Sequence, residues 1–431
     1  MLNYTPMKRY LPRIADELLA FKLRAKGAVW VTGPKWCGKS TTAARQAKSK
    51  IFFQGGAGQE QNLTLAEQLP SRVLAGDTPR LLDEWQLAPS LWDSVRQEVD
   101  ARNEVGQFIL TGSTTPPKKE DDARKHSGTG RIARLPMSTM SLFESEDSTG
   151  EVSLKELFSA PDQIVGECRA SLEDYAYFIC RGGWPGALGM GRRESLEQAI
   201  DYFDNLINAD ASRYDGVSRA PDRVRTFLQS YARLSTTQGD YTAIKRDMTD
   251  HEGVALSDET IASYASVMRG LFIISELDAW NPVLLKKDTI RKSPTRHFTD
   301  PSIACASLGI GPEDLINDFH AFGIFFESMA VRDLRIFASA LDGNVYHFRD
   351  RYGNETDAVI HLRNGTYGLV EVKLTSKRNI DEGAESLKRI ATMIDPKRMK
   401  EPAFLAVVTT TGYAYRRPDG VYVVPLACLK P

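Results

Sequence analysis

One stretch of this 431-residue chain constrains its fold more than any other: Gly33-Pro34-Lys35-Trp36-Cys37-Gly38-Lys39-Ser40. It follows the apolar run AVWVT at 28–32 and precedes the helix-compatible TTAARQAKSK. A G-x-x-x-x-G-K-[ST] loop between strand and helix has a physical purpose. Glycines let backbone amides turn inward around phosphate oxygens, and the helix N-terminus adds partial positive charge. Lys39 can reach the β- and γ-phosphates of a nucleotide, Ser40 can ligate Mg²⁺, and Thr41 continues the same turn. The whole loop, Gly33 to Thr41, is therefore a candidate nucleotide cradle. Trp36 and Cys37 read within it as loop-packing side chains.

Further short apolar runs recur at 51–53, 80–83, 107–111 and 131–137. Nearly continuous and bounded by turn residues, they read as buried strands of a helix-covered parallel sheet. The run RLLD ends in Asp83, with Glu84 behind it. An acid there holds Mg²⁺ through water, and a second one polarises the attacking water. The other reading is a helix cap for LAPSLWDSVRQEVD. An Asp-Glu pair favours hydrolysis over switch chemistry, and the absence of an N/T-K-x-D guanine motif points to ATP. QFILTGS ends in Thr111 and Ser113, placed either to sense a γ-phosphate or as plain turn residues. Arg131 in GTGRI is a candidate to stabilise transition-state charge, in cis or across an interface. Its competing reading is a solvated arginine.

Composition excludes some classes. Lys and Arg total 55 against 56 Asp and Glu, for a net charge of −1. This rules out a uniformly basic or acidic chain but not a local basic face. No apolar run approaches the ~18 residues a membrane span needs, and the start lacks the apolar stretch of a secretory signal. The five cysteines are scattered, with no zinc-like spacing. They suit a reducing compartment, so a cytoplasmic protein without membrane contact is expected.

Beyond residue 150 the pattern changes. Residues 151–217 read as helical, with the turn RGGWPG at 181–186. Three helices follow, at 222–234, 240–250 and 257–272, then an extended arm. This order resembles a winged helix-turn-helix with its recognition helix at 257–270. Residues 283–300 hold Lys286, Lys287, Arg291, Lys292 and Arg296 against Asp288 and Asp300. Such an arm can contact the phosphates of DNA. Asp258 and Glu259 at the helix start oppose this, and winged helices also serve protein packing.

The last part holds a second candidate site. Glu327 lies in a helical stretch, Asp357 in ETDAVIHL, and Glu371 and Lys373 end TYGLVEVK. Residues two apart on a strand share a face, so Glu371 and Lys373 project together. Asp357 and Glu371 can bind Mg²⁺, Lys373 can stabilise charge on phosphate, and Glu327 can reach in from its helix. The rival D-x-K at Asp395-Pro396-Lys397 has proline where a paired strand needs a donor. The bland alternative is a scaffold in which Glu371 and Lys373 form a surface pair.

In order, GPKWCGKS, LDEWQ, ILTGS, TGRI, LPMSTMSLFE and RGGWPG resemble the motifs of a bacterial and archaeal family of AAA-type P-loop ATPases. Members of that family carry a C-terminal domain of uncharacterised function. The resemblance spans nearly the whole chain. It implies a five-stranded parallel sheet in which the acidic strand is not adjacent to the phosphate-loop strand. The C-terminal order is similar to the restriction-endonuclease-like PD-(D/E)xK superfamily. The expected architecture is α/β: a P-loop NTPase core at 1–150 and a helical lid at 151–217, then a winged-helix-like unit at 218–305 and a nuclease-like unit at 306–431. The expected function is Mg²⁺-dependent ATP hydrolysis coupled to a DNA-interacting, nuclease-like domain. The alternative is an ATP-gated switch that binds a protein partner or a second copy, with a non-cutting scaffold at its C-terminus.

Overall fold

A computed structural model of the chain describes residues 9–55, 58–115, 127–238, 241–253, 256–281, 293–394 and 399–431. The five runs near the start form one sheet. Its strands are β1 (Ala28–Thr32), β2 (Ser49–Phe52), β3 (Arg80–Asp83), β4 (Phe108–Gly112) and β5 (Ile132–Pro136). Their order is β2-β3-β4-β1-β5, and every neighbouring pair is parallel. β4 separates the acidic strand β3 from β1, as the family resemblance implies. Every residue of β1 and β4 is buried, which explains runs that are apolar throughout rather than alternating. One face packs Trp30, Trp85 and Trp92 with Val95 and Val99 of the Leu91–Arg102 helix. The other packs Val29 and Val31 against Leu19 and Leu23 of the Ile14–Ala25 helix and Ala43 of the Lys39–Gln46 helix.

The remainder shares a core. A single cluster of buried side chains runs from Leu142 through the helices of the middle to Leu429. Two short pairings sew it together. β6 (Val152–Ser153) pairs with β14 (Leu429–Lys430), and β7 (Gly166–Glu167) pairs with β12 (Tyr413–Arg416). Tyr175, in the stretch expected to be a lid, meets Phe326 edge to face at 5.5 Å. The boundaries expected at 217/218 and 305/306 thus do not separate independent cores. Helix periodicity marks which face is apolar, not which partner covers it.

The second sheet is seven-stranded, in the order β7-β12-β13-β11-β10-β9-β8. β8 (Gly343–Arg349), β9 (Glu355–Leu362) and β10 (Tyr367–Lys373) form an antiparallel meander. The Lys377–Thr392 helix then crosses over to β11 (Phe404–Thr409), parallel to β10, with β13 (Tyr422–Pro425) beyond it. That helix covers one face through Ile380, Ala384 and Leu387, and the Phe319–Ala340 helix covers the other. The order from Phe319 to Thr409 is αβββαβ.

The middle has the three expected helices, at Pro221–Arg233, Thr242–Glu252 and Asp258–Gly270. Ser257 caps the last, its Oγ accepting from the Thr260 amide. A ribbon of isolated bridges, Ile274 to Phe298 and Leu277 to Thr295, stands where a wing would. The segment carrying Lys286, Lys287, Asp288, Arg291 and Lys292 lies outside the described residues, as does Asp395-Pro396-Lys397. Arg296, expected among the phosphate-contacting bases, is instead buried and donates to Thr237 Oγ1 at 3.0 Å. The sequence showed its charge but not that the ribbon turns it inward. Among the described residues no helix is long and apolar enough to cross a membrane.

Candidate functional site

The phosphate loop leaves β1 at its carboxyl end and enters the Lys39–Gln46 helix. Gly33 cannot carry a side chain, since its φ is +155° and a Cβ would fall 2.0 Å from the Met137 carbonyl. Lys39 is buried, its Nζ donating to Pro34 O at 2.6 Å across the loop. Cys37 is buried with Sγ 3.7 Å from Met137 O, whereas Trp36 is exposed and meets Tyr202 edge-on at 6.2 Å. Lys35 pairs with Asp210 at 2.6 Å. Asp210 closes a single π-helical turn, Leu206–Asp210, a local form that recurs at functional sites. Asp210 and Tyr202 thus bring two points of the 151–217 segment against the loop.

Asp83 ends β3, in register with Thr111 of β4, which in turn is in register with Val31 of β1. Two strand spacings put Asp83 about 10 Å across the sheet from β1. Thr111 Oγ1 donates to Asp83 Oδ1. Glu84 takes the left-handed region at φ 56°, uncommon for a non-glycine residue. Its Oε2 accepts from Ser113 Oγ at 3.0 Å and from Gln86 Nε2. Asp83, Glu84, Thr111 and Ser113 thus converge at one edge, and the helix-cap reading is not what the geometry supports. From the same edge, Thr115 N donates to Gly270 O at 2.9 Å, tying this loop to the end of the Asp258–Gly270 helix.

Arg131 is not brought there. It precedes β5, at the amino end of the sheet, and pairs with Asp100 at 2.8 Å. Five residues of parallel strand set it roughly 16 Å from the end bearing the loop. Within one chain it therefore cannot contact the same phosphates. The chemistry of the TGRI motif was legible, but not the strand end on which the arginine falls.

Three residues escaped the sequence reading. Arg13 is buried and donates to Cys37 O at 2.7 Å and Ser138 O at 2.9 Å. Gln86 holds Glu84, and Asp210 meets the loop lysine Lys35. Of these only Gln86 had a signal, inside LDEWQ.

The C-terminal set does converge. Lys373 Nζ lies 2.7 Å from Glu371 Oε2 and 3.5 Å from Asp357 Oδ2. Asp357 Oδ2 also accepts from the Val372 amide at 2.7 Å, and Ser386 Oγ donates to Glu371 Oε1 at 3.4 Å. Burial, with the nearby Asp357 charge, raises the Glu327 and Glu371 carboxyls well above their ordinary value. Burial works against the Lys373 ammonium, but Asp357 and Glu371 outweigh it and raise its pKa. One cation thus faces three carboxyls. Among the described residues no three Asp, Glu, His or Cys side chains gather as a metal-holding group. Asp357 and Glu371 remain as oxygen donors, and Mg²⁺ is commonly held by one or two carboxylates plus phosphates and waters. The histidines near these strands serve elsewhere. His347 bonds to Gln238 and Ser293 O, and His361 Nδ1 accepts from Trp280 Nε1.

Comparison with known proteins agrees with the first sheet. Residues 25–146 match the AAA domain family. Residues 172–314 and 322–429 each match a domain of unknown function. Among curated proteins, none matches. Similar solved structures include the Walker-type ATPase PABY2304 of Pyrococcus abyssi, at 13% identity and a TM-score of 0.43, covering 69% of this chain and 96% of that one. The Hef helicase domain of Pyrococcus furiosus is similar at 12% identity and a TM-score of 0.19, covering 60% and 68%. Drosophila ORC bound to DNA follows at 12% and 0.18, covering 69% and 85%. Residues 25–146, which include the phosphate loop, thus carry an AAA domain.

Proposed function

We propose that this AAA-type P-loop ATPase hydrolyses ATP with Mg²⁺ and couples the cycle to a nucleic-acid-directed site in its C-terminal unit. The observation that carries the first half is the shared strand edge. There the loop of Gly33–Ser40 faces Asp83 and a Glu84 aimed by Gln86 and Ser113. The loop, from Gly33, Pro34, Lys35, Trp36 and Cys37 through Gly38, Lys39, Ser40 and Thr41, surrounds the phosphates. Ser40 and Asp83 would hold the metal, which supplies charge neutralisation when bound. Glu84 orients water, Ser113 keeps Glu84 in place, and Lys39 exchanges Pro34 O for a phosphate oxygen. Arg131 is left a role only across an interface between copies. Unchanged ATP turnover in both Lys39→Ala and Glu84→Gln would sink the assignment.

The second half rests on the αβββαβ order and on the meeting of Asp357, Glu371 and Lys373 beside Glu327. Both features resemble the restriction-endonuclease-like superfamily. Asp357 and Glu371 would hold Mg²⁺, Lys373 would meet developing charge on a phosphate, and Glu327, its carboxyl raised by burial and the nearby Asp357 charge, would reach in from its helix. Mg²⁺-dependent cleavage of DNA should vanish in Asp357→Ala and in Lys373→Ala, and cleavage surviving both would place the activity elsewhere. DNA contact is assigned to this unit and to the basic arm rather than to the Asp258–Gly270 helix, whose start exposes Asp258 and Glu259. A second reading, an ATP-gated protein-interaction switch, is favoured by that acidic helix start.

A further inference from the structure

Two motifs have no chemistry of their own: SLFE at 141–144 and RGGWPG at 181–186. Both meet at one buried junction. Arg13, on the far side of the phosphate loop, donates to Cys37 O at 2.7 Å and, through Nε, to Glu144 Oε1 at 3.1 Å. The other oxygen of Glu144 accepts from the Ser141 amide at 2.9 Å. The next amide, Leu142 N, donates to Asp333 Oδ2 at 2.9 Å. Asp333 Oδ1 accepts from Arg332 Nε at 2.8 Å, and Arg332 Nη1 donates to Asp300 Oδ2 at 3.0 Å. Asp300 Oδ2 also takes the Gly183 amide at 2.9 Å and Thr139 Oγ1 at 2.7 Å.

The GGWPG turn closes the circuit. A Cβ on Gly183 would lie 2.0 Å from Met140 O, so only glycine fits. Trp184 stacks on Tyr202 at 4.5 Å, and Tyr202 meets Trp36 of the loop. All these charges are nearly excluded from water, with the Arg332 and Asp300 side chains 3% and 0% exposed. Buried, fully partnered ion pairs have discrete arrangements rather than a continuum. Arg332 sits five residues beyond Glu327 on the Phe319–Ala340 helix, about 7.5 Å along its axis.

We propose that Arg13 is a positioning residue for the phosphate loop. We also propose that the buried series Arg13–Glu144–Leu142–Asp333–Arg332–Asp300 passes nucleotide occupancy to the helix that presents Glu327. This regulation rests on reading the C-terminal pocket as a functional site, but its test does not require cleavage.

Amide hydrogen exchange on the full chain, with and without a non-hydrolysable ATP analogue and Mg²⁺, reads it directly. Nucleotide should change exchange across residues 322–334 by at least about fivefold, the lower end of ordinary coupling between sites. Asp333→Asn must set a donor against either Leu142 N–H or Arg332. It should abolish that response while binding of a fluorescent ATP analogue persists. A purely structural role would lower protection with and without nucleotide alike. Should Asp333→Asn not fold, Arg332→Lys keeps the charge but cannot bridge Asp333 Oδ1 and Asp300 Oδ2 with one fork, and the same loss is expected. A wild-type helix indifferent to bound nucleotide, or a full response retained in a folded variant, overturns the proposal. Absence of DNA cleavage by the wild-type chain, with the exchange response intact, would count against the C-terminal reading instead.

Discussion

Glu84 carries the sharpest residue-scale expectation. Its left-handed backbone and its two hydrogen bonds hold a carboxylate beside the end of β3, where the proposed function needs a water-orienting group. Glu84→Gln should keep ATP binding and lower turnover by about 10²- to 10⁴-fold, the range for loss of a positioned base. Gln86→Ala should lose less, because Ser113 still holds the same oxygen; steady-state turnover of the purified variants decides. The phosphate-loop motif was readable because the chemistry proposed for it fixes both identity and spacing. Arg13 was not readable. It precedes β1 by fifteen residues of sequence and is joined to the loop only by folding. Arg131 was legible as a charge and misplaced in space, because a sequence does not say which end of a strand faces the ligand.

Elements were the most legible scale. The runs AVWVT, RLLD and ETDAVIHL coincide with β1, β3 and β9. A strand buried on both faces, as β1 is, needs apolar residues throughout, and turn residues bound it. Contacts between elements were not legible, and His347 of β8 shows why. Burial holds its pKa down to about 4, and its Nε2 donates to Ser293 O while Nδ1 faces Gln238 Nε2 at 3.0 Å. The ring is therefore neutral when folded. Its folded pKa lies below the unfolded value of about 6.5, so the unfolded chain takes up the proton first. Stability is full above pH 6.5 and falls as pH drops toward 4, by roughly 2 kcal/mol between pH 7 and 5 for this residue alone. Burial lowers His297 to about 3, with the same sign. Urea unfolding at pH 7 and 5 checks this, and His347→Gln should shrink the difference.

At the scale of the whole molecule, one buried cluster spans the middle and C-terminal segments. The core from Leu142 to Leu429 and the β6–β14 and β7–β12 pairings mean that the C-terminal sheet depends on the segment after the ATPase core. A fragment of residues 306–431 should fail to fold cooperatively, exposing Phe326, Met329 and Ala330, with dye binding and broad amide resonances as the readout. Within the full chain, removing one member of the buried Arg332–Asp300 pair should cost about 3–5 kcal/mol, because it strands a charge. Asp300, with donors from Arg332, Gly183, Thr139 and Ser302, has its carboxyl held below the usual range although burial opposes this. Asp333, with fewer donors, is pushed by burial up to about 6. The most direct test is ATP turnover by the full chain with and without single- and double-stranded DNA, using Lys39→Ala as the blank. The account predicts turnover that depends on Lys39 and rises when DNA is added. Turnover that depends on Lys39 but ignores both forms of DNA would contradict the nucleic-acid coupling and leave the protein-interaction switch in its place.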